Sequence, residues 1–194
     1  MSGTDRGSGA THLVETQVDS EPVFDGELLH VRRDTVRLPD GTRATREYIV
    51  HPGAVLIVPV LPDGRLVVER QYRYPLGRVM IEFPAGKLDA GEAPLDTARR
   101  ELREEAGYLA ASWRWLGRVH PIVSYSTETI EFFVAEGLTQ VGAQLDAGEF
   151  LDIVLMSVDA MLAAIDREQL TDAKTVAALL LYARRRGAAP AGTP

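Results

Sequence analysis

The chain has 194 residues, 45% of them hydrophobic, a formal net charge of −7 and no cysteine. Such a length and apolar fraction suffice for one domain with a sizeable core, while the acidic balance and the lack of a basic stripe argue against a nucleic-acid partner. Without cysteine there are neither disulfides nor thiolate metal sites, which fits a reducing cytoplasm, and no stretch is apolar for long enough to cross a membrane as a helix.

Residues 1–20 lack an apolar core and read as a flexible tail, not a signal peptide. Next, "LLHVRRDTVRLPDGTRATREYIV" holds two extended runs separated by "LPDG", a hairpin signal ahead of 43–50 and the mark of an N-terminal β subdomain over 21–50. "GAVLIVPVLPDGRLVVERQYRY" repeats the pattern, and its apolar run over 54–60 predicts a strand buried on both faces. Further strands are expected near 80–83, 113–120, 130–135 and 150–156. Helices are expected at "SVDAMLAAIDREQL" and "TDAKTVAALLLYARRRG", opening on Ser157 and Thr171 as N-caps. The basic run 184–186 suits a helix C-terminus by its dipole, and 188–194 reads as a second flexible tail. The main domain then spans 51–187. Strands mixed with covering helices predict an α/β (α+β) sandwich.

The informative helix lies in "GKLDAGEAPLDTARRELREEAGY". At about 100° per residue, Glu101, Glu104 and Glu105 fall within roughly a quarter of the circumference. Like charges at this spacing repel, more strongly in a sheltered groove than in water. Arg99, Arg100 and Arg103 offer partial relief on a solvated face. However, Leu95, Ala98, Leu102 and Ala106 form an apolar arc beside the acidic stripe, so the helix packs on a core and its carboxylates lie at the edge of buried surface. A hard divalent cation with oxygen ligands suits that position. Asp96 or Thr97 near the start and Gly107 at the end are its boundary signals.

Other chemistries find no support. Gly86-Lys87 resembles the end of a P-loop, but Ile81 stands where the leading glycine is needed. No serine occupies a Gly-x-Ser-x-Gly elbow, and His12, His30, His51 and His120 lack metal-ligand spacing. Trp113 and Trp115 alternate along a strand as packing residues do.

The glutamate segment resembles the signature of the Nudix hydrolase family, matched here at Gly86, Glu92, Arg100, Glu101, Leu102, Glu104, Glu105, Gly107 and Tyr108. The resemblance implies a Nudix-type α/β/α sandwich with a mixed central sheet and an N-terminal antiparallel sheet. It implies a Mg2+-dependent pyrophosphatase, with Mn2+ as substitute. The implied metal ligands are Glu101, Glu104, Glu105 and the Ala85 carbonyl, Glu101 and Glu105 foremost, and Arg100 with Glu92 is the supporting pair. Glu82 in "EFPAG" is placed to reach metal or substrate, or to form a strand-end ion pair.

Wider stretches, "ATREYIVHPGAVLIVPV", "ERQYRYPLGRVMIEFPAGKLD" and "LDAGEFLDIV", are similar to the ADP-ribose pyrophosphatase branch over about 24–182. That likeness implies hydrolysis of ADP-ribose to AMP and ribose 5-phosphate. The same chemistry on another nucleoside diphosphate sugar, such as GDP-mannose, and a non-catalytic ADP-ribose-binding regulator are the alternatives. It further implies a homodimer exchanging its N-terminal sheets, with Arg46 and Glu47 at the nucleoside end and Arg73 on phosphate. Glu149, in the acidic stretch "GLTQVGAQLDAGEFLD", corresponds to the general base; Asp146 and Asp152 are the alternatives, as is a merely solvated loop. Glu128 is another carboxylate expected to face the cleft.

Overall fold

The first "LPDG" turns the chain as expected. Strand β1 (Thr16–Asp25) pairs antiparallel with β2 (His30–Arg37), which returns through residues 38–42 into β3 (Arg43–Val50). Asp40 closes that turn, its Oδ1 accepting from the Thr42 amide at 2.9 Å and from the Thr42 hydroxyl at 2.6 Å. The computed structural model describes residues 10–145 and 147–186, in two units. This sheet and the segment Ile122–Glu128 form the first. The segment joins β3 through Ile49 N–H to Tyr125 O (2.9 Å) and Thr127 N–H to Ile49 O (3.0 Å). Within the sheet, buried Asp34 accepts from Ser20, Gln17 and Tyr48 and so ties all three strands together. Those hydrogen bonds hold its carboxyl below the usual range. Residues 16–20, read as tail, are instead strand. Their polar residues satisfied the criterion for a tail, yet alternating side chains and pairing with β2 order them. The second tail lies outside the described residues.

The second unit runs β4 (Ala54–Pro59), β5 (Leu66–Arg73), β6 (Arg78–Glu82), β7 (Ala85–Lys87), α1 (Pro94–Glu104), β8 (Tyr108–Val119), β9 (Ile130–Gln140), β10 (Leu151–Met156), α2 (Val158–Asp166) and α3 (Ala173–Arg185). One sheet has the order β7-β4-β9-β8 and the other β10-β5-β6. Pairing of β4 with β9 is parallel and every other named strand pair is antiparallel, so the first sheet is mixed.

β4 is buried along its whole length because its two faces serve two cores. Val55 and Ile57 join Ala98, Leu102 and Ala106 of the α1 segment. Leu56 and Val58 join Met161, Ala164, Ala178 and Leu179 of α2 and α3. Alternation along a strand thus places α1 on one side and α2 with α3 on the other, an α/β/α sandwich. The second "LPDG" does not lead into a paired hairpin: β4 and β5 enter different sheets, and an isolated bridge from Val60, just past β4, to Leu66 spans the turn. Both edges of β4 are already taken, by β7 and β9.

Two helix starts differ from expectation. α3 is capped by Asp172, whose carboxylate accepts from the Thr175 amide at 3.1 Å, while Thr171 accepts from Arg78. α1 begins at Pro94 without a side-chain cap, a position where the missing amide costs nothing. Ser157 caps α2 as expected. At the end of α1, Gly107 has φ +73° and its Cα lies so close to residues 142–143 that a Cβ would sit 2.5 Å from the Ala143 nitrogen. The chain there is tethered: Gln144 N–H donates to Glu104 O (2.8 Å), and Val141 N–H to Gly107 O (2.8 Å).

Candidate metal-dependent active site

Helix α1 and the three-residue strand β7 carry the site. Pro94 starts the helix, Ala98 and Leu102 anchor it in the core, and the adjoining arc brings the acidic stripe against the glycine strand. Glu101 rests on Gly86 so closely that a Cβ at residue 86 would overlap its carboxylate and lie 2.6 Å from its Cγ. Glu105 accepts from the Ala85 amide through Oε2 at 3.0 Å. Ala85, Gly86, Glu101 and Glu105 therefore meet, Ala85 through its N–H.

Arg100 is the organising cation. Its Nε and Nη2 contact the two oxygens of Glu92 at 3.1 and 3.0 Å, and its Nη1 donates to Glu101 (2.7 Å) and Glu104 (3.2 Å). A forked guanidinium suits this bidentate grip. It pulls the Glu92 pKa down to about 2, with help from the Thr97 hydroxyl at 2.8 Å. Thr97 is thus a buried prop for Glu92, not a helix cap.

Burial drives the carboxylates the other way. Desolvation raises the Glu105 pKa, and the charges of Glu69 and Glu101 raise it further. Glu101 is raised mainly by desolvation, against the pull of Arg100. Glu69, which the sequence did not single out, is raised by desolvation and then by Glu82, and its Oε1 has no partner. Half-buried Glu149, between β9 and β10, adds to the field at Glu69, Glu101 and Glu105.

Arg73 and Glu82 form the ion pair that was one of the two expectations for Glu82. Arg73 grips Glu82 at 2.6 and 2.8 Å, and Lys174 of α3 holds the same carboxylate and Asp172. Asp152 lies on β10 with Arg70 at 3.9 Å, and Asp146 lies outside the described residues. In the other unit, Arg46 is bound by both oxygens of Glu15, Glu47 by Arg33 at 2.7 Å, and Glu128 faces His51 at 4.0 Å.

Among the described residues no three acidic or histidine side chains already converge in metal-ligand geometry. The donor set nonetheless fits a hard cation: buried carboxylates on one stripe, a glycine leaving room for one of them, and an orphaned buried oxygen. In the cation-free protein the raised acids bind protons that the unfolded chain releases near the ordinary value of 4.5. Their stabilisation is complete below that value and lost as pH rises through the folded values, about 8 and about 9. Thermal unfolding in chelator is therefore expected to show a falling Tm between those limits, with a shallower fall in Glu105→Gln. A profile equally steep in the variant would remove Glu105 as its source.

The mixed sheet between helices and the glycine strand leading into a glutamate helix fit the family to which the chain belongs: residues 50–179 match the NUDIX domain family. Residues 15–49 match the nucleoside diphosphate sugar hydrolase N-terminal domain. Among curated relatives, a methanol dehydrogenase activator of Bacillus methanolicus is 37% identical over 85% of this chain and 90% of its own. The ADP-ribose pyrophosphatase of Bacillus subtilis (strain 168) is 34% identical over 86% and 91%. That of Mycobacterium tuberculosis is 43% identical over 69% and 64%. A solved ADP compounds hydrolase superposes with a TM-score of 0.80 at 27% identity, covering 89% of this chain and 95% of its own.

Proposed function

We infer that this chain is a divalent-cation-dependent pyrophosphatase that hydrolyses ADP-ribose to AMP and ribose 5-phosphate. The observation that carries this reading is the meeting of Ala85, Gly86, Glu101 and Glu105 beside the Arg100–Glu92 pair. The two ADP-ribose pyrophosphatases among the relatives support the substrate.

Glu101, Glu105 and the Ala85 carbonyl would hold Mg2+, or Mn2+ in its place, with Glu104 at the rim. A bound divalent cation supplies charge neutralisation on phosphate oxygens and an acidified water. Arg100 fixes the rotamers of Glu101 and Glu104, and Glu92 fixes Arg100, so the carboxylates are oriented before substrate arrives. Glu149 is the carboxylate proposed to take the proton from the attacking water; its charge already acts on Glu101 and Glu105. Arg73 and Glu82 are proposed to engage the substrate, Arg73 turning from Glu82 towards phosphate. Arg46, Glu47 and Glu128 are proposed contacts of the nucleoside diphosphate sugar in a cytoplasmic homodimer with exchanged N-terminal sheets.

The test is purified protein with Mg2+ and, separately, ADP-ribose, GDP-mannose and a nucleoside triphosphate, products resolved by chromatography. AMP from ADP-ribose is expected. Turnover of GDP-mannose alone would move the substrate within the class. Binding of ADP-ribose without turnover would favour a regulator; the Bacillus methanolicus relative is named as an activator of methanol dehydrogenase.

A further inference from the structure

Glu69 is 3% exposed, lies outside the glutamate signature, and leaves Oε1 without a hydrogen-bond partner. An ionised carboxylate in that condition is costly unless a cation or proton compensates it. The direction of its side chain follows from the strand. On β5, Leu66 and Val68 pack in the core with α2 and α3, whereas Val67 packs with Ala98, Leu102 and Ala106. Alternation puts Glu69 on the Val67 side, facing α1. There Glu69 is the neighbouring charge that acts most strongly on Glu105.

The nearby cations are committed elsewhere. Glu82 lies directly across from Glu69 in the β5–β6 register and takes both Arg73 and Lys174. Arg100 is shared by Glu92, Glu101 and Glu104. Glu69 and Glu105 are thus both buried, and among the described residues no side chain is bonded to Glu69 Oε1.

We propose that Glu69 belongs to the cation site, its free Oε1 being an oxygen donor to the divalent cation that Glu105 binds. Oxygen-only coordination by a hard cation suits a buried carboxylate pair to which, among the described residues, no arginine or lysine is bonded, although Arg73 and Lys174 act on Glu69 through space. The proposal rests on the reading of Glu105 as a cation ligand, so its test must separate the two.

Mn2+ binding to the full chain, measured by calorimetric titration and by the electron paramagnetic resonance signal of free Mn2+, does so without reference to turnover. Glu105→Gln is expected to lose the site, and Glu69→Gln, which keeps shape but not charge, to weaken it about tenfold or more. If Glu69→Gln binds Mn2+ as the wild type does, Glu69 is a protonated structural acid and the proposal falls while the reading of Glu105 stands. If the wild type binds no Mn2+, or Glu105→Gln binds it unchanged, both fall. Should Glu69→Gln not fold, Glu69→Asp retains the charge and retracts the oxygen by one methylene. Weakened Mn2+ affinity in that variant supports the proposal, and wild-type affinity overturns it.

Discussion

Glu105→Gln is expected to lower kcat/KM for ADP-ribose about a thousandfold, equivalent to ~4 kcal/mol of transition-state stabilisation. Glutamine keeps the size of the side chain, and its amide oxygen can still accept from the Ala85 N–H, now 3.0 Å from Oε2. What disappears is the charge. A buried neutral amide cannot hold a divalent cation against its hydration shell, so the loss falls on chemistry and leaves the fold intact. Removing a carboxyl whose ionised form is disfavoured first by burial and then by Glu69 and Glu101 is expected to raise the Tm of the cation-free variant above that of the wild type at neutral and higher pH. Wild-type turnover in Glu105→Gln would remove Glu105 from the catalytic machinery.

Gly86→Ala is expected to separate stability from function in the same way but by sterics. Residue 86 is in strand β7, paired with Val55 of β4, and its backbone does not need glycine's left-handed freedom. The three atoms nearest the added methyl all belong to the Glu101 side chain, its Oε1, Cδ and Cγ, so that side chain rather than the backbone is expected to give way and the Tm to stay close to that of the wild type. The carboxylate must leave its place, however, and with it goes the Arg100 contact that orients it. A loss of about a hundredfold in activity is expected, of the size seen when support around a metal ligand is removed. Measured side by side, calorimetric Tm and AMP formation check both halves; a large drop in Tm would show that residue 86 holds the fold, not the site.

The glutamate helix was legible because its information is local. Three carboxylates and an apolar arc at helical spacing fix which side is buried, and Ala98, Leu102 and Ala106 are indeed buried. Glu69 was illegible for the opposite reason. "LVVERQYR" reads as a strand becoming polar, and only pairing with β6 and β10 shows that Glu69 is still under cover while Arg70 is exposed. A usable signal existed, since Val67 and Glu69 share a strand face. The two "LPDG" turns teach the same lesson: identical residues precede a hairpin in one case and a change of sheet in the other, because the partners of β4 come from residues 85–87 and 130–135. Lys174, from the start of α3, could not be linked to Glu82 by any spacing along the chain.

The tether at the end of α1 bears on how such a protein can diversify. The chain after β9 is pinned to the Glu104 and Gly107 carbonyls by Gln144 and Val141. Sequence changes beyond Gln144 would meet that anchor before they reach the helix that carries Glu101 and Glu105, but they would displace Glu149, whose charge acts on both. Variation in this connection is therefore bounded on one side by the anchor at the end of α1 and on the other by the need to keep Glu149 within reach of the carboxylate frame.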